Sequence, residues 1–308
     1  MQSTDLLSLI GGTPLVELPH LSPKRGIRIY AKLEGQNPTG SIKDRIVLAM
    51  VEAAELRGDL HPGDTIVEAS SGNTAIALAM VAKQKGYKIR VVIPRHVAPS
   101  IGDVLRVFGA SVTWSAKGNI RGAVDLATEI ADRDGSYFLR QFTDDVNVRA
   151  HYQGTGSEIT EALPEVDAIV AGIGTGGTIM GVGRRLREAN PDVRVIGVMP
   201  KLGERLQGLR SLEEAYQPPL LDLHQLDGRY LVDSDSAIKA ARAVVRKEGL
   251  FAGISSGATL HAALRLAKGM RRGNIVVMFS DGGWKYLPSR PWDTSAKAAR
   301  RLDEVHWW

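Results

Sequence analysis

Two hydrophobic periods alternate along the chain. Short apolar runs rich in Val and Ile are followed by stretches in which apolar positions recur every three to four residues. The first kind reads as buried strand and the second as amphipathic helix. Strands are predicted at 27–33, 65–68, 87–94, 111–114 and 137–139, with helices at 42–57, 73–85, 99–108 and 120–133 between them. A second series follows. It has a helix at 153–163, a strand at 168–172, a helix at 178–189 and a strand at 194–198. Helices at 235–248 (Ser234 as N-cap) and 258–268 and a strand at 275–279 complete it.

Such alternation argues for parallel βαβ units. The expected fold class is α/β, as two packed three-layer domains with mainly parallel sheets. A smaller, mobile N-terminal domain is expected over 38–145, and a larger one over 1–37 plus 146–308. The two series change over near 141–151, and no low-complexity linker separates them, which favours packed domains. Residues 201–233 carry Gly, Pro, Arg and Glu with little periodicity, so a long functional or mobile loop is expected there. The polar stretch 292–308 ends in Val305-His306-Trp307-Trp308. Exposed terminal tryptophans are costly, so they are expected to pack onto the protein or a partner.

Composition narrows the function. At 308 residues a chain buries roughly three quarters of its extended surface, enough for a sizeable core. Hydrophobic residues make up 44% and charged residues 24%, ordinary for a soluble protein. The net charge of +5 is scattered, with no Lys/Arg tract interleaved with aromatics. That argues against nucleic acid and for anionic small substrates. The absence of cysteine excludes disulfides, thiolate metal sites and a cysteine nucleophile, and no metal is expected. The first residues lack a basic region followed by an apolar stretch, and no apolar run approaches ~18 residues. A cytoplasmic protein with no membrane partner is the expectation.

Four turns carry the candidate chemistry. In Asn37-Pro38-Thr39-Gly40-Ser41-Ile42-Lys43-Asp44-Arg45 a lysine sits where a turn opens a helix. Ser41 with Asp44 reads as a capping box. Removing water and placing the amine beside backbone N–H donors favours its neutral form, which condenses with aldehydes. The bland alternative is a solvated lysine on a capped surface helix. Ala168-Ile169-Val170-Ala171-Gly172-Ile173-Gly174-Thr175-Gly176-Gly177-Thr178 is a strand, a glycine-rich turn and a helix start, suited to a phosphate. Its G-x-G-x-x-G spacing also fits a dinucleotide fingerprint. That reading wants an acid at the end of the next strand, where the chain has Gly197-Val198-Met199-Pro200-Lys201. A lysine with a phosphate cradle suits a phosphorylated aldehyde, pyridoxal 5′-phosphate. Glu68-Ala69-Ser70-Ser71-Gly72-Asn73-Thr74 and Gly253-Ile254-Ser255-Ser256-Gly257 are further polar turns before helices. Simple helix capping is the alternative for both.

In order, N-P-T-G-S-x-K-D-R, S-S-G-N-T, G-x-G-T-G-G-T and G-I-S-S-G-A resemble the β-family, or fold type II, pyridoxal-phosphate enzymes, with their tryptophan synthase β-like fold. The chain is most similar to the B-type cysteine synthases. The likeness runs from Ile10-Gly11-Gly12-Thr13-Pro14-Leu15 to Asp281-Gly282-Gly283-Trp284-Lys285-Tyr286-Leu287.

The resemblance implies that Lys43 holds the cofactor as a Schiff base and is the general base at the substrate α-carbon. It implies that Asn73 meets the cofactor's 3′ oxygen, that Gly174, Thr175, Gly176, Gly177 and Thr178 cradle its phosphate, and that Ser255 meets the pyridine nitrogen. Ser70, Ser71, Gly72, Thr74 and Gln141 would bind the substrate carboxylate. A neutral hydroxyl at the pyridine nitrogen makes the ring a weaker electron sink than a carboxylate partner would. That favours β-elimination and β-replacement through an aminoacrylate over transamination.

Arg210 matches an arginine of B-type members, and its fork suits a phosphate or a bulky anion; a surface salt bridge is the alternative. Members similar to this chain from Arg210 to Tyr216 and through Gly283-Trp284-Lys285-Tyr286-Leu287 include enzymes that use O-phospho-L-serine. The implied reaction replaces the leaving group of O-phospho-L-serine, or of O-acetyl-L-serine, by sulfide, thiosulfate or the thiocarboxylate of a small sulfur-carrier protein. A homodimer is implied, and the Trp307-Trp308 tail is a candidate lid. The chain departs from the family pattern at Ser70, Ala75 and Ser100-Ile101-Gly102-Asp103-Val104. The alternatives are cystathionine β-synthase or serine/threonine dehydratase on this fold, and a non-catalytic partner-binding module.

Overall fold

The computed structural model describes residues 5–70, 72–95, 99–116, 119–204, 206–210 and 217–289. Ser71, the 211–216 part of the Arg210 loop and the C-terminal tail with Trp307 and Trp308 lie outside them.

The strands are β1 (Leu15–Glu17), β2 (Ile27–Leu33), β3 (Thr65–Ala69), β4 (Lys88–Pro94), β5 (Ser111–Ser115), β6 (Tyr137–Phe138), β7 (Ala168–Gly172), β8 (Arg194–Pro200), β9 (Gly228–Val232) and β10 (Gly273–Phe279). The helices are α1 (Lys43–Arg57), α2 (Asn73–Lys85), α3 (Pro99–Val107), α4 (Ile120–Asp134), α5 (Val146–Ala150), α6 (Ser157–Ala162), α7 (Gly177–Ala189), α8 (Ser234–Glu248) and α9 (Ile254–Lys268).

Two sheets form. One has six strands in the order β1-β2-β10-β7-β8-β9, and the other has four in the order β5-β4-β3-β6. Among the described residues every pairing between these strands is parallel except β1 with β2. Both faces of each sheet are covered, as unbroken apolar strands require. Along β10, Ile275, Val277 and Phe279 join a core with α8 and α9, while Val276 and Met278 join one with α7. In the smaller sheet Ile66, Val91 and Ile93 pack with α1 and α2, and Val67, Ala69 and Val92 with α4.

Strand order reverses at β3, flanked by β4 and β6, and at β7, flanked by β8 and β10. Crevices for ligands open at the carboxyl ends of strands at such switch points. The Ser70 to Thr74 turn follows β3 and the glycine-rich turn follows β7.

The structure corrects the expected elements in five places. Residues 201–233 are not one long loop, since β9 lies within them and closes the sheet edge beside β8. The antiparallel edge strand β1 also escaped its short pattern. The helix expected at 153–163 belongs to a longer run: α5, then a π-helical turn from His151 to Gly156, then α6. The N-cap of α8 is Asp233, whose carboxylate accepts from Ser236 N, rather than Ser234. Finally, Ser255 is in the first turn of α9, which starts at Ile254 and not at 258.

Candidate active site

The lysine turn is built differently from a capping box. Asp44 accepts from the Thr39 N–H at 2.7 Å and from the Thr39 hydroxyl, while Ser41 Oγ receives only Lys43 N, at 3.4 Å. The carboxylate therefore braces the residue five earlier, and the turn closes around Thr39-Gly40. Beyond Lys43, Arg45 anchors α1. Its guanidinium reaches Glu34 at 2.6 Å and Glu158 at 2.6 Å, in a buried cluster with Lys32 and Thr13. Arg45 and Lys32 hold the Glu158 carboxyl down to about 2 against the opposing effect of burial.

Asp281, just past β10, ties the turns together. It pairs with Ser41 across an antiparallel bridge, and Ser280 O accepts from Ile42 N at 2.9 Å. Its own carbonyl accepts from Gly253 N at 3.0 Å, which holds the start of α9 and so Ser255. Its carboxylate Oδ2 accepts from Asn73 Nδ2 at 2.8 Å and from the Tyr286 hydroxyl at 2.5 Å. Lys43, Asn73 and Ser255, far apart in sequence, are thus brought to one place. Lys43 is half-buried there. Burial lowers its pKa to about 8, with Asp281 and Glu34 opposing and Arg210 and Lys285 adding to the fall.

The substrate-side residues form a second chain of bonds. Ser70 Oγ accepts from the N–H groups of Gly72 and Ala75, both at 3.2 Å, and so caps α2. Thr74 donates its hydroxyl to Gln141 Oε1 at 2.7 Å, and Gln141 Nε2 donates to Glu68 Oε1 and Ala69 O, both at 3.1 Å. Just before Gln141, Arg140 takes φ 59, the one non-glycine positive φ among the described residues. Glu68 is fully buried, and desolvation pushes its pKa up to about 8.

The glycine-rich turn is close-packed. Gly176 takes φ 92, a conformation that suits glycine. A Cβ on Gly177 would lie 1.9 Å from Asn147 Oδ1. Asn147, on α5, donates to Gln141 O at 2.8 Å and to Thr175 Oγ1 at 3.1 Å, so it links the two halves of the site. Thr178 meets Nε2 of the buried His151 at 3.0 Å. On the other side Gly208 O crowds Gly174, Arg210 N donates to Ile173 O at 2.8 Å, and the Arg210 guanidinium lies 5.0 Å over the Phe142 ring.

These residues fit pyridoxal phosphate. The first turn of a 13-residue helix presents N–H groups without intrahelical partners to an anion. The two threonine hydroxyls beside it add to that donor set, and Lys43 has the lowered pKa an imine-forming amine needs. Every described residue of the expected site falls in this region.

Sequence reading missed Asp281, Asn147, His151, Glu68 and Lys285 as parts of the site. The local signals available were an acid inside the apolar run Thr65-Ile66-Val67-Glu68-Ala69 and the segment Asp281-Gly282-Gly283-Trp284-Lys285, where the family likeness ends. Among the described residues no helix is long and apolar enough to cross a membrane, and no group of three or more His, Asp or Glu is placed to hold a metal.

The model of the pyridoxal-phosphate dependent enzyme family matches residues 6–281, and the chain belongs to that family. Within it the chain falls among the cysteine synthases. It is 38% identical over 295 residues to cysteine synthase B of Pseudomonas aeruginosa, covering 95% of this chain and 99% of that protein. It is 38% identical over 280 residues to cysteine synthase B of Escherichia coli (strain K12), covering 90% of this chain and 92% of that protein. Among solved structures, an O-ureido-L-serine synthase superposes with a TM-score of 0.90 at 35% identity, covering 98% of this chain and 100% of that one. A cysteine synthase from Entamoeba histolytica superposes at 0.88 with 31% identity, covering 99% and 96%. The fold type II architecture, the enzymatic nature and the pyridoxal 5′-phosphate cofactor follow from this membership.

Proposed function

We propose that the protein makes L-cysteine by β-replacement on an O-activated L-serine, with O-phospho-L-serine as donor and O-acetyl-L-serine as the alternative. The observation that carries the donor choice is the placement of Arg210. Its guanidinium stacks on Phe142, next to Gln141, close enough to Lys43 to help lower its pKa. A delocalised cation at that spot suits a phosphate leaving group.

Pyridoxal phosphate, when bound, supplies a carbonyl for imine formation and a ring that acidifies the α-carbon of the amino acid it holds. The remaining work falls to the chain's own residues. With a pKa of about 8, about a quarter of the Lys43 amine is neutral at pH ~7.5, against about one in a thousand for an ordinary lysine. Nζ of Lys43 can therefore take the α-proton and return it without a large energetic penalty. Thr74 and Gln141 satisfy each other until a carboxylate arrives. Binding replaces their mutual bond, so orientation of the substrate is coupled to its recognition. Glu68 keeps the Gln141 amide fixed from behind. Thr175, Thr178 and the start of α7 would hold the phosphate end of the cofactor, and Asn73 and Ser255 would meet its ring.

The similar Pseudomonas and Escherichia proteins are cysteine synthases, which supports sulfur as the nucleophile. Sulfide, thiosulfate or a carrier thiocarboxylate is the source, and a homodimer the working form. Residues 38–145 are taken as the smaller, mobile unit.

The test measures kcat/KM for both serine esters with the parent and with Arg210→Ala. The expected result is a loss of at least tenfold with O-phospho-L-serine and a small one with O-acetyl-L-serine, about 1.4 kcal/mol of difference. Equal loss with both rejects the phosphate role. Formation of O-ureido-L-serine in place of cysteine would redirect the nucleophile.

A further inference from the structure

Asn73 is held by two side chains more than two hundred residues away in sequence. Lys285, in the 3-10 turn Gly283–Ser289, donates from Nζ to Asn73 Oδ1 at 2.6 Å. Asp281 Oδ2 accepts from Asn73 Nδ2 at 2.8 Å while also taking the Tyr286 hydroxyl. Lys285, Asp281 and Tyr286 are 5%, 3% and 2% exposed. An ammonium has three donors and no acceptor, so the atom facing Lys285 must be the amide oxygen. That settles an orientation which the shape of an amide leaves ambiguous. With Oδ1 on Lys285 and one Nδ2 hydrogen on Asp281, one N–H of Asn73 remains to offer.

We propose that Lys285 is a positioning residue that fixes the Asn73 amide so that an N–H, and not the carbonyl, faces the 3′ oxygen of the cofactor, with Asp281 taking the other hydrogen. The inference rests on Asn73 being the contact to that oxygen. An N–H stabilises the oxygen as an anion, whereas a carbonyl in the same place repels the anion and selects the protonated form. Lys285 is itself anchored, with burial lowering its pKa and Asp281 and Asp44 opposing the fall. The charged groups acting on Lys43 beside it are Asp281, Arg210, Glu34 and Lys285. Removing Lys285 leaves Asp281 as the one described side chain still ordering the amide, so the flipped form becomes more populated.

The test is an absorption titration of cofactor-loaded protein, parent against Lys285→Met, Lys285→Gln and Lys285→Arg, at saturating pyridoxal phosphate. The parent should be yellow across neutral pH. In Lys285→Met and Lys285→Gln the near-ultraviolet form should grow at the expense of the visible band. At fixed pH the ratio of the two bands should move about tenfold towards the near-ultraviolet form, in which the proton sits on the 3′ oxygen. Lys285→Arg, which keeps a donor without an acceptor, should hold the parent's band ratio. Weaker cofactor binding in all three variants with the parent's band ratio would overturn the proposal and leave Lys285 a packing residue. A parent protein that never turns yellow would overturn the reading of the site itself, which keeps the two failures apart.

Discussion

Replacing Lys43 by methionine should stabilise the cofactor-free protein at neutral pH, and the gain should vanish in alkali. The lysine amine sits in the crevice with a pKa near about 8, against ~10.4 in an unfolded chain. Its folded-state pKa is lowered, so the folded protein prefers the neutral amine. Below about pH 8 folding must either bury a charge or give up a proton, and that cost is then fully present. It declines as the pH rises from the folded value towards the unfolded one. The difference of about 2.4 units at 1.36 kcal/mol per unit gives about 3 kcal/mol. Methionine has nearly the length of lysine and no charge, so it removes this cost while filling the same space. Urea denaturation of both cofactor-free proteins at pH 7 and pH 10.5 measures the effect. The expected gain is about 2–3 kcal/mol at pH 7 and under about 0.5 kcal/mol at pH 10.5. An equal difference at both pH values would mean that Lys43 titrates normally and that packing explains the change.

Two other substitutions probe the walls of the site. Gly177→Ala places a methyl where Asn147 Oδ1 now sits, 1.9 Å away. Asn147 must leave Thr175 and Gln141, so cofactor affinity should fall at least tenfold and stability by about 1–3 kcal/mol, read by titration with pyridoxal phosphate and by thermal melting. Glu68→Gln should leave stability nearly unchanged near pH 4.5 and raise it by about 3 kcal/mol at pH 7, because the parent carboxyl folds neutral with its pKa pushed up to about 8 and loses stability as the pH rises from about 4.3. A gain that is the same at both pH values would show that Glu68 ionises normally.

Most of the framework was legible because it rests on local patterning. Unbroken apolar runs gave β7 and the central part of β10, a run broken by Arg28 and Lys32 gave β2, and the helices between them followed from their periodicity. The missed strands sit at sheet edges. β1 is three residues long, and β9 has only Tyr230, Leu231 and Val232 after Gly228 and Arg229, so neither carries a strong apolar signal. The π-turn at His151 inserts extra residues into a helical run, and no period in the sequence announces it.

At the site, the turn residues were legible because glycine, serine and threonine before a helix state their own chemistry. The residues that bind the turns together were not. Asp281 acts through Ser41, Gly253 and Asn73, and Asn147 through Gln141 and Thr175. Those contacts exist only once two sheets have brought separate segments together. The capping box failed for a related reason, since Thr39 offers Asp44 two donors and Ser41 pairs with Asp281 instead.

The most direct trial of a β-replacement centred on Lys43 is to mix the yellow, cofactor-loaded protein with O-phospho-L-serine and then with sulfide, following absorbance, phosphate and amino-acid products together. The donor alone should shift the visible band and release phosphate in an amount matching the active sites. Sulfide should then restore the original band and yield L-cysteine in equal amount. An unchanged band with both serine esters, or pyruvate and ammonia where cysteine should be, would contradict the assignment.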